Sequence, residues 1–323
     1  MAVTGGVFAQ ATMTGSLAYG YRMSQISTGV NASGIGANSA NIDFAVTEDI
    51  EGLGKVTGKM GIAAKNTDSA AGARDSSLKL DMGSAGAITM SAAYAYTWLA
   101  DNAAPGSVAA CSFTNGDCTT GIGMFSTYGY NDNISYSLKV ANSLSVSVTH
   151  TEPNAAASSI GAGAAGATIS SAAYSGRYNT YSATYSAAPL VITGGYRTYD
   201  LAQLATSNSN YRHRAAFSYD LGAAKIGAGY EQNVTTYGDT TTDTLFSVAM
   251  GVPNSALTVS AQFGQRAKAG NAAAASDTVY AGSAYAASYK LSGRTSLNTT
   301  YLTNQAAGTS NPTFLLATIN HTF

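Results

Sequence analysis

Residues 314–323 read FLLATINHTF. Counting back from Phe323, every second residue belongs to the series His321, Ile319, Ala317 and Leu315. Between them stand Thr322, Asn320, Thr318 and Leu316, mostly hydroxyl and amide. Successive side chains of a β-strand point to opposite faces, so this stretch predicts a strand with one greasy face and one polar face. The fold then depends on what the greasy face touches.

Composition narrows the choice. Charged residues make up 10% of the 323-residue chain, against about 25% in a typical soluble domain. Gly, Ala, Ser and Thr dilute the aliphatic residues too far for a large globular core. Such a chain either stays disordered or buries its apolar face against something it does not supply, and lipid is the candidate. A net charge of −1 offers no basic excess for nucleic acid. No run of 18 apolar residues predicts a transmembrane helix. At the start, Val7-Phe8-Ala9 before Gln10 fits the small-x-small rule of a signal-peptidase site, but the charged n-region and full apolar stretch are missing. Residues 1–10 are therefore either the tail of a leader or a flexible N-terminus, and 11–323 form one unit.

Breaks between the alternating segments come in two kinds that take turns. Tight ones stand at 51–54, 83–86, 141–142, 187–189, 221–222, 253–255 and 292–293. Long ones, rich in Ala, Ser, Asn, Thr and Gly, stand at about 26–38, 66–75, 99–130, 153–177, 200–209, 234–241, 267–276 and 305–311. These connections demand sixteen strands. An even strand count, with short turns on one side and long loops on the other, is the pattern of a transmembrane barrel.

The segments between the breaks alternate. In 144–150, LSVSVTH, Leu144, Val146 and Val148 are separated by Ser145, Ser147 and Thr149. In 257–264, LTVSAQFG, Leu257, Val259, Ala261 and Phe263 oppose Thr258, Ser260, Gln262 and Gly264. Segment 88–98 gathers Tyr94, Tyr96 and Trp98 beside a long loop, as interfacial girdle residues do. With the apolar phase set outward, Arg22, Lys55, Lys59, Lys65, Lys79, Lys139, Arg197, Arg212, Arg214, Lys225, Arg266, Lys290 and Arg294 all take the inward phase. Arg74, Arg177 and Lys268 fall in long loops. A soluble sandwich also alternates, but one of sixteen strands without a central aliphatic run fits this chain poorly. A barrel of that size encloses a space too wide for side chains to fill, which makes it a channel.

The stretch 41–54, NIDFAVTEDIEGLG, followed by 55–64, KVTGKMGIAA, resembles the second and third strands of Gram-negative general porins of the betaproteobacterial type. SSLKLDMGSAGAITM (76–90) resembles their next hairpin, and ATINHTF their terminal strand. The resemblance implies an all-β, sixteen-stranded antiparallel transmembrane β-barrel of the outer membrane, with short periplasmic turns and long extracellular loops. It further implies a homotrimer set in a bilayer with lipopolysaccharide, and a third loop, here 99–130, folded inward as a constriction. Phe323 then serves as the membrane insertion signal. The chain departs from the family in lacking Pro-Glu-Phe-Gly-Gly in that loop and in carrying fewer wall charges.

Within the third loop, Cys111 and Cys118 form CSFTNGDC. Two cysteines in an exported chain predict one disulfide, with two free thiols as the other reading. Two cysteines without a nearby histidine do not make a metal site. The pore-lining bases are Arg22, Lys55, Lys59 and Lys79 on one side and Arg197, Arg212 and Arg214 opposite. The acids are Asp43, Asp81 and Glu231 on strands, with Asp101 and Asp117 on the inner loop facing the lysines. Such charges either set a transverse field that orients passing solutes or merely hydrate the wall. The positive excess predicts a mild anion preference.

Enzyme readings fail at the histidines. His150, His213 and His321 all take the outward phase, where no nucleophile and acid in water can reach them. GAGAAG at 161–166 matches a dinucleotide fingerprint in letters only, with no βαβ unit around it. No cofactor is expected. Tyr280 is the inward tyrosine that the alternation assigns, and one ring makes no sugar track. The function predicted is passive diffusion of small hydrophilic solutes and ions; a structural or surface-display barrel with an occluded lumen is the alternative.

Overall fold

The computed structural model describes residues 10–25, 31–63, 72–94, 98–108, 130–153, 177–200, 209–236, 238–270, 278–306 and 313–323. Its strands are β1 (Gln10–Gln25), β2 (Asn31–Ile50), β3 (Gly54–Ala63), β4 (Gly72–Asp81) and β5 (Ala87–Tyr94). A short helix, α1 (Trp98–Ala103), precedes β6 (Tyr130–Ala141), β7 (Leu144–Pro153), β8 (Tyr178–Ala187), β9 (Leu190–Tyr199) and β10 (Ser209–Asp220). The remainder are β11 (Ala224–Thr235), β12 (Thr240–Gly251), β13 (Leu257–Ala269), β14 (Thr278–Lys290), β15 (Thr295–Ala306) and β16 (Thr313–Thr322).

Each strand pairs antiparallel with its sequence neighbours, and β16 returns to β1, so the sheet closes into a barrel. Closure satisfies every ladder and removes both edges, which is what a sheet in hydrocarbon requires. The seam runs from Ser16↔Thr322 to Gln25↔Thr313. It ends on Phe323, whose N–H and C=O each bond to the backbone of Gly15 at 3.0 Å. The Phe323 ring lies where a Cβ at residue 15 would stand. Glycine is what lets the aromatic ring settle across β1.

Large exposed apolar residues keep to one phase of each strand: Leu17, Tyr19, Tyr21 and Met23 on β1, Phe246 and Met250 on β12, Tyr285 and Tyr289 on β14. Opposite this phase stand the described strand lysines and arginines assigned inward; Lys65 lies outside the described residues. A groove of about 1010 Å³ on the outer face, bordered by Phe217, Tyr230, Phe246 and Phe263, lies where small outward residues such as Ala215, Ala228 and Ala281 leave the surface shallow.

Several boundaries differ from the sequence expectation. The composition of 26–38 predicts a loop, yet β2 begins at Asn31 and pairs with β1 as far as Gln25↔Asn31. The loop expected at 234–241 shrinks to the link between Thr235 and Thr240, turned at Gly238 with φ of 84°. Arg74 and Lys268, expected in loops, fall within β4 and β13. Ladder hydrogen bonds are made by the backbone, so Gly, Ala and Asn do not end a strand whose partner continues.

The inner face also holds more grease than alternation suggests. Phe314 and Leu316, on the face of β16 expected to be polar, are 2% and 3% exposed. They join Leu302, Ala284, Leu245 and Ala216 from other strands, and Leu99 and Ala103 from α1, in one apolar cluster. The core of this barrel thus sits inside the lumen, around the helix that enters it.

Candidate functional site

Charged residues line two stretches of inner wall, and register decides how each is neutralised. On β3 and β4, Lys55 stands opposite both Asp49 and Asp81. Lys55 Nζ lies 3.7 Å from Asp49, and Lys79 Nζ lies 2.8 Å from Asp81. These pairs sit beside the short turns, about half exposed, where an ion pair contributes little. Lys59 lies further from the turn, opposite Ala45 and Ser77, exposed and without an acid partner among the described residues. Across the seam on β1, the Arg22 guanidinium lies 5.5 Å over the Phe314 ring and 3.4 Å from Asn38 Oδ1. Asp43 takes the inward phase of β2, opposite Gly61.

The second stretch is a charge ladder from β9 to β13. Arg197 pairs with Arg212, Arg214 with Glu231, Glu231 with Asp243, and Asp243 with Arg266. Arg212 donates to Glu231 at 3.0 Å, and Arg214 lies 3.7 Å from its other oxygen. Arg266 grips Asp243 through two bonds of 2.6 and 2.7 Å, the strong fork geometry of arginine and carboxylate. Arg212 and Arg214 point inward as expected, but their side chains are only 16% and 9% exposed. They belong to the fabric of the wall more than to the water path. Asp243 was not foreseen, because it falls two residues beyond an expected loop; the phase set by Phe246 would have assigned it.

The helix explains this burial. Leu99 and Ala103, one turn apart, face the wall of β10, β11 and β12. Trp98 lies 4.7 Å from the Arg214 guanidinium, a cation–π contact. Ser247 Oγ donates to the Ala103 carbonyl at 2.5 Å, Gln262 to Ser107 Oγ at 2.6 Å, and the Val108 N–H donates to Ser260 Oγ at 3.1 Å. Two glycines on β11 form the seat. A Cβ at Gly227 would stand 2.5 Å from the Ala103 oxygen, and one at Gly229 2.8 Å from both Leu99 and Ala103. Gly229→Leu is expected to overpack this contact by about 1–3 kcal/mol and loosen the helix, raising open-channel current noise. A trace as quiet as the parent's would contradict the seat.

Asp101 lies two residues from Leu99 on α1, so its side chain turns away from the wall and is exposed toward the lumen. Desolvation by the surrounding protein still raises its carboxyl above the ordinary value. Asp117, Cys111 and Cys118 lie outside the described residues. Among the aromatics, Tyr178 and Tyr199 face inward with Arg197, which corrects the reading of Tyr280 as the one assignable inward ring. The same alternation contained them, since Tyr178 is three residues from outward Tyr181, and Tyr199 three from outward Tyr196. The histidines stay on the outer phase: His213 stacks on Tyr211 and meets Tyr230 at a tilt, His150 bonds Asn179, and His321 bonds Thr295.

Known proteins share this architecture. An anion-selective porin from Comamonas acidovorans superposes with a TM-score of 0.71 at 15% identity, covering 98% of this chain and 100% of that one. In-vitro folded OmpT, an outer membrane protein of Vibrio cholerae in trimer form, gives 0.68 at 13% identity over 98% and 99%. A triple mutant of Rhodopseudomonas blastica porin gives 0.64 at 12% identity over 97% and 100%. No curated protein sequence matches. The family model described as Gram-negative porin matches residues 1–309. With a closed sixteen-stranded wall, lipid-facing aromatics and a charged lumen, the chain belongs to the Gram-negative porin family, an outer-membrane channel for passive diffusion.

Proposed function

We propose that this porin works as a homotrimer, passes small hydrophilic solutes and ions, and mildly prefers anions. The observation that carries the preference is an imbalance among inward charges. Asp81, Glu231 and Asp243 are each engaged by lysine or arginine, which leaves Asp101 on α1 as the acid exposed to the lumen without a cationic partner among the described residues. Lys59, Arg22 and Arg197 have no acid partner among the described residues. Unpaired cations beside a water path raise the local anion concentration, over a Debye length of about 8 Å at physiological salt.

Trimer assembly is supported by the outer face of β2 to β5. Its described large exposed side chains are Ile35, Ile42, Phe44, Val46, Ile50, Met60, Ile62, Leu78 and Met90, and Tyr94 is its one tyrosine position on that phase, at the long-loop end of β5, whereas β8 to β15 expose Tyr181, Tyr196, Tyr219, Tyr285 and Tyr301. Tyrosine hydroxyls favour the headgroup region, so a tyrosine-poor sector suits contact with protein. The anion-selective porin and the trimeric OmpT share the fold, which agrees with both parts of this reading. Phe323 is proposed as the insertion signal, and a Cys111–Cys118 disulfide as a brace of the third loop.

Lys59→Glu tests the preference. Reversal potential under a salt gradient should move toward cations, and an unmoved potential would show that Lys59 does not line the conducting path.

A further inference from the structure

We infer that the inner wall of β8 to β10, at the long-loop end of the barrel, is a docking site for small aromatic carboxylates. The inference rests on the channel reading above and names a class of solute for it. Tyr178 opens β8 directly after one long loop, and Tyr199 closes β9 directly before another. They stand opposite each other in the ladder, with ring centroids 5.4 Å apart and planes tilted by 59°. Both rings face the lumen and are half-buried.

Between the rings and the deeper wall lies Arg197, its guanidinium 3.9 Å from the Tyr178 ring centre and 6.0 Å from that of Tyr199. Its Nε donates to Thr180 Oγ1 at 3.1 Å, which anchors the side chain and leaves the two terminal nitrogens for another partner. Arg212 stands directly across the ladder from Arg197, and Arg214 follows on the same face. Among the described residues Glu231 pairs with Arg212 and Arg214 but not with Arg197, and the neighbouring Asp243 is held by Arg266. Moreover, the Nε atoms of Arg212 and Arg214 are buried without a hydrogen-bond partner. Like charges gathered in a partly desolvated wall repel unless an anion offsets them.

The chemistry of the visitor follows. A carboxylate matches the paired terminal N–H groups of arginine. An attached ring would lie against Tyr199, where tilted aromatic contacts contribute beyond area alone. A carboxylate without a ring loses the tyrosine contact, and a ring without charge loses the arginine. Inorganic phosphate would use the arginines and ignore the rings. At the mouth of the channel, such a site raises the local concentration of its solute before the narrower section beside α1.

Single-channel recording in planar bilayers, with benzoate, acetate, benzamide or phosphate added on the long-loop side, tests this. Benzoate should interrupt the current at concentrations about tenfold lower than acetate or benzamide. Arg197→Gln should weaken the benzoate block by about tenfold, and Tyr199→Leu should erase the advantage of benzoate over acetate. Tyr185→Leu on the outer face should leave the block as it is. Benzoate blocking no better than acetate, or phosphate blocking as well as benzoate, would overturn the inference while the channel stands. If Arg197→Gln does not assemble, the Tyr199→Leu result decides alone. A chain that never opens stepwise would sink the channel reading along with it.

Discussion

Phe263→Arg is expected to destabilise the barrel by about 2–4 kcal/mol, the cost of placing arginine on the lipid face near the bilayer midplane. Phe263 lies near the middle of β13, on its outer phase and 44% exposed. Its ring stacks on Phe246 at 6.4 Å and meets Tyr285 edge-on at 6.0 Å. Losing those contacts adds about 0.5–1.5 kcal/mol per pair at most. Val259 provides the internal control. It shares the outer phase but lies two residues from the start of β13, beside a short turn. Val259→Arg should therefore cost only about 0–1 kcal/mol. Urea unfolding of the protein in lipid vesicles measures both. Equal losses at the two positions would mean that this face does not traverse a hydrocarbon layer.

Glu231→Gln should weaken the barrel by about 3–5 kcal/mol, because removing one partner of a buried ion pair strands the other charge. Here one carboxylate serves two arginines, Arg212 and Arg214. The exposure of Glu231 itself is 13%, so water offers little substitute. Arg212→Gln added to Glu231→Gln should restore part of the loss, since the double change removes a charge of each sign. Where the single variant does assemble, its lumen has lost a negative charge and its reversal potential should move further toward anions. A variant as stable as the parent would show that the pair is already solvated.

Much of this protein was legible in residue types alone. Lipid and lumen act on every strand with a period of two, so the outer phase of Leu144, Val146 and Val148, or of Val259 and Phe263, needed no knowledge of the partner strand. The inward phase of the lysines and arginines followed from the same alternation. Loop boundaries were less legible. Residues 31–38 read as loop because Gly34, Gly36 and Asn38 carry little strand propensity, yet β1 continues beside them and holds their backbone in register.

What alternation cannot report is which inward side chains are wet. Arg197, Arg212 and Arg214 share one phase, but α1 folds across the lumen and Trp98 covers Arg214 while Arg197 stays beside the tyrosines. Phe314 and Leu316 break the polar face of their strand for the related reason that this side of the lumen holds an apolar cluster including Leu99 and Ala103.

The sequence by itself determined a sixteen-stranded closed wall, its greasy and polar faces, and the family, because a two-phase environment writes its period onto every strand. Only the tertiary structure decided where the loop docks and which charges remain open to passing solutes. Those contacts join residues such as Ala103 to Ser247 and Ser107 to Gln262, 144 and 155 positions apart, and no local pattern couples positions at that distance.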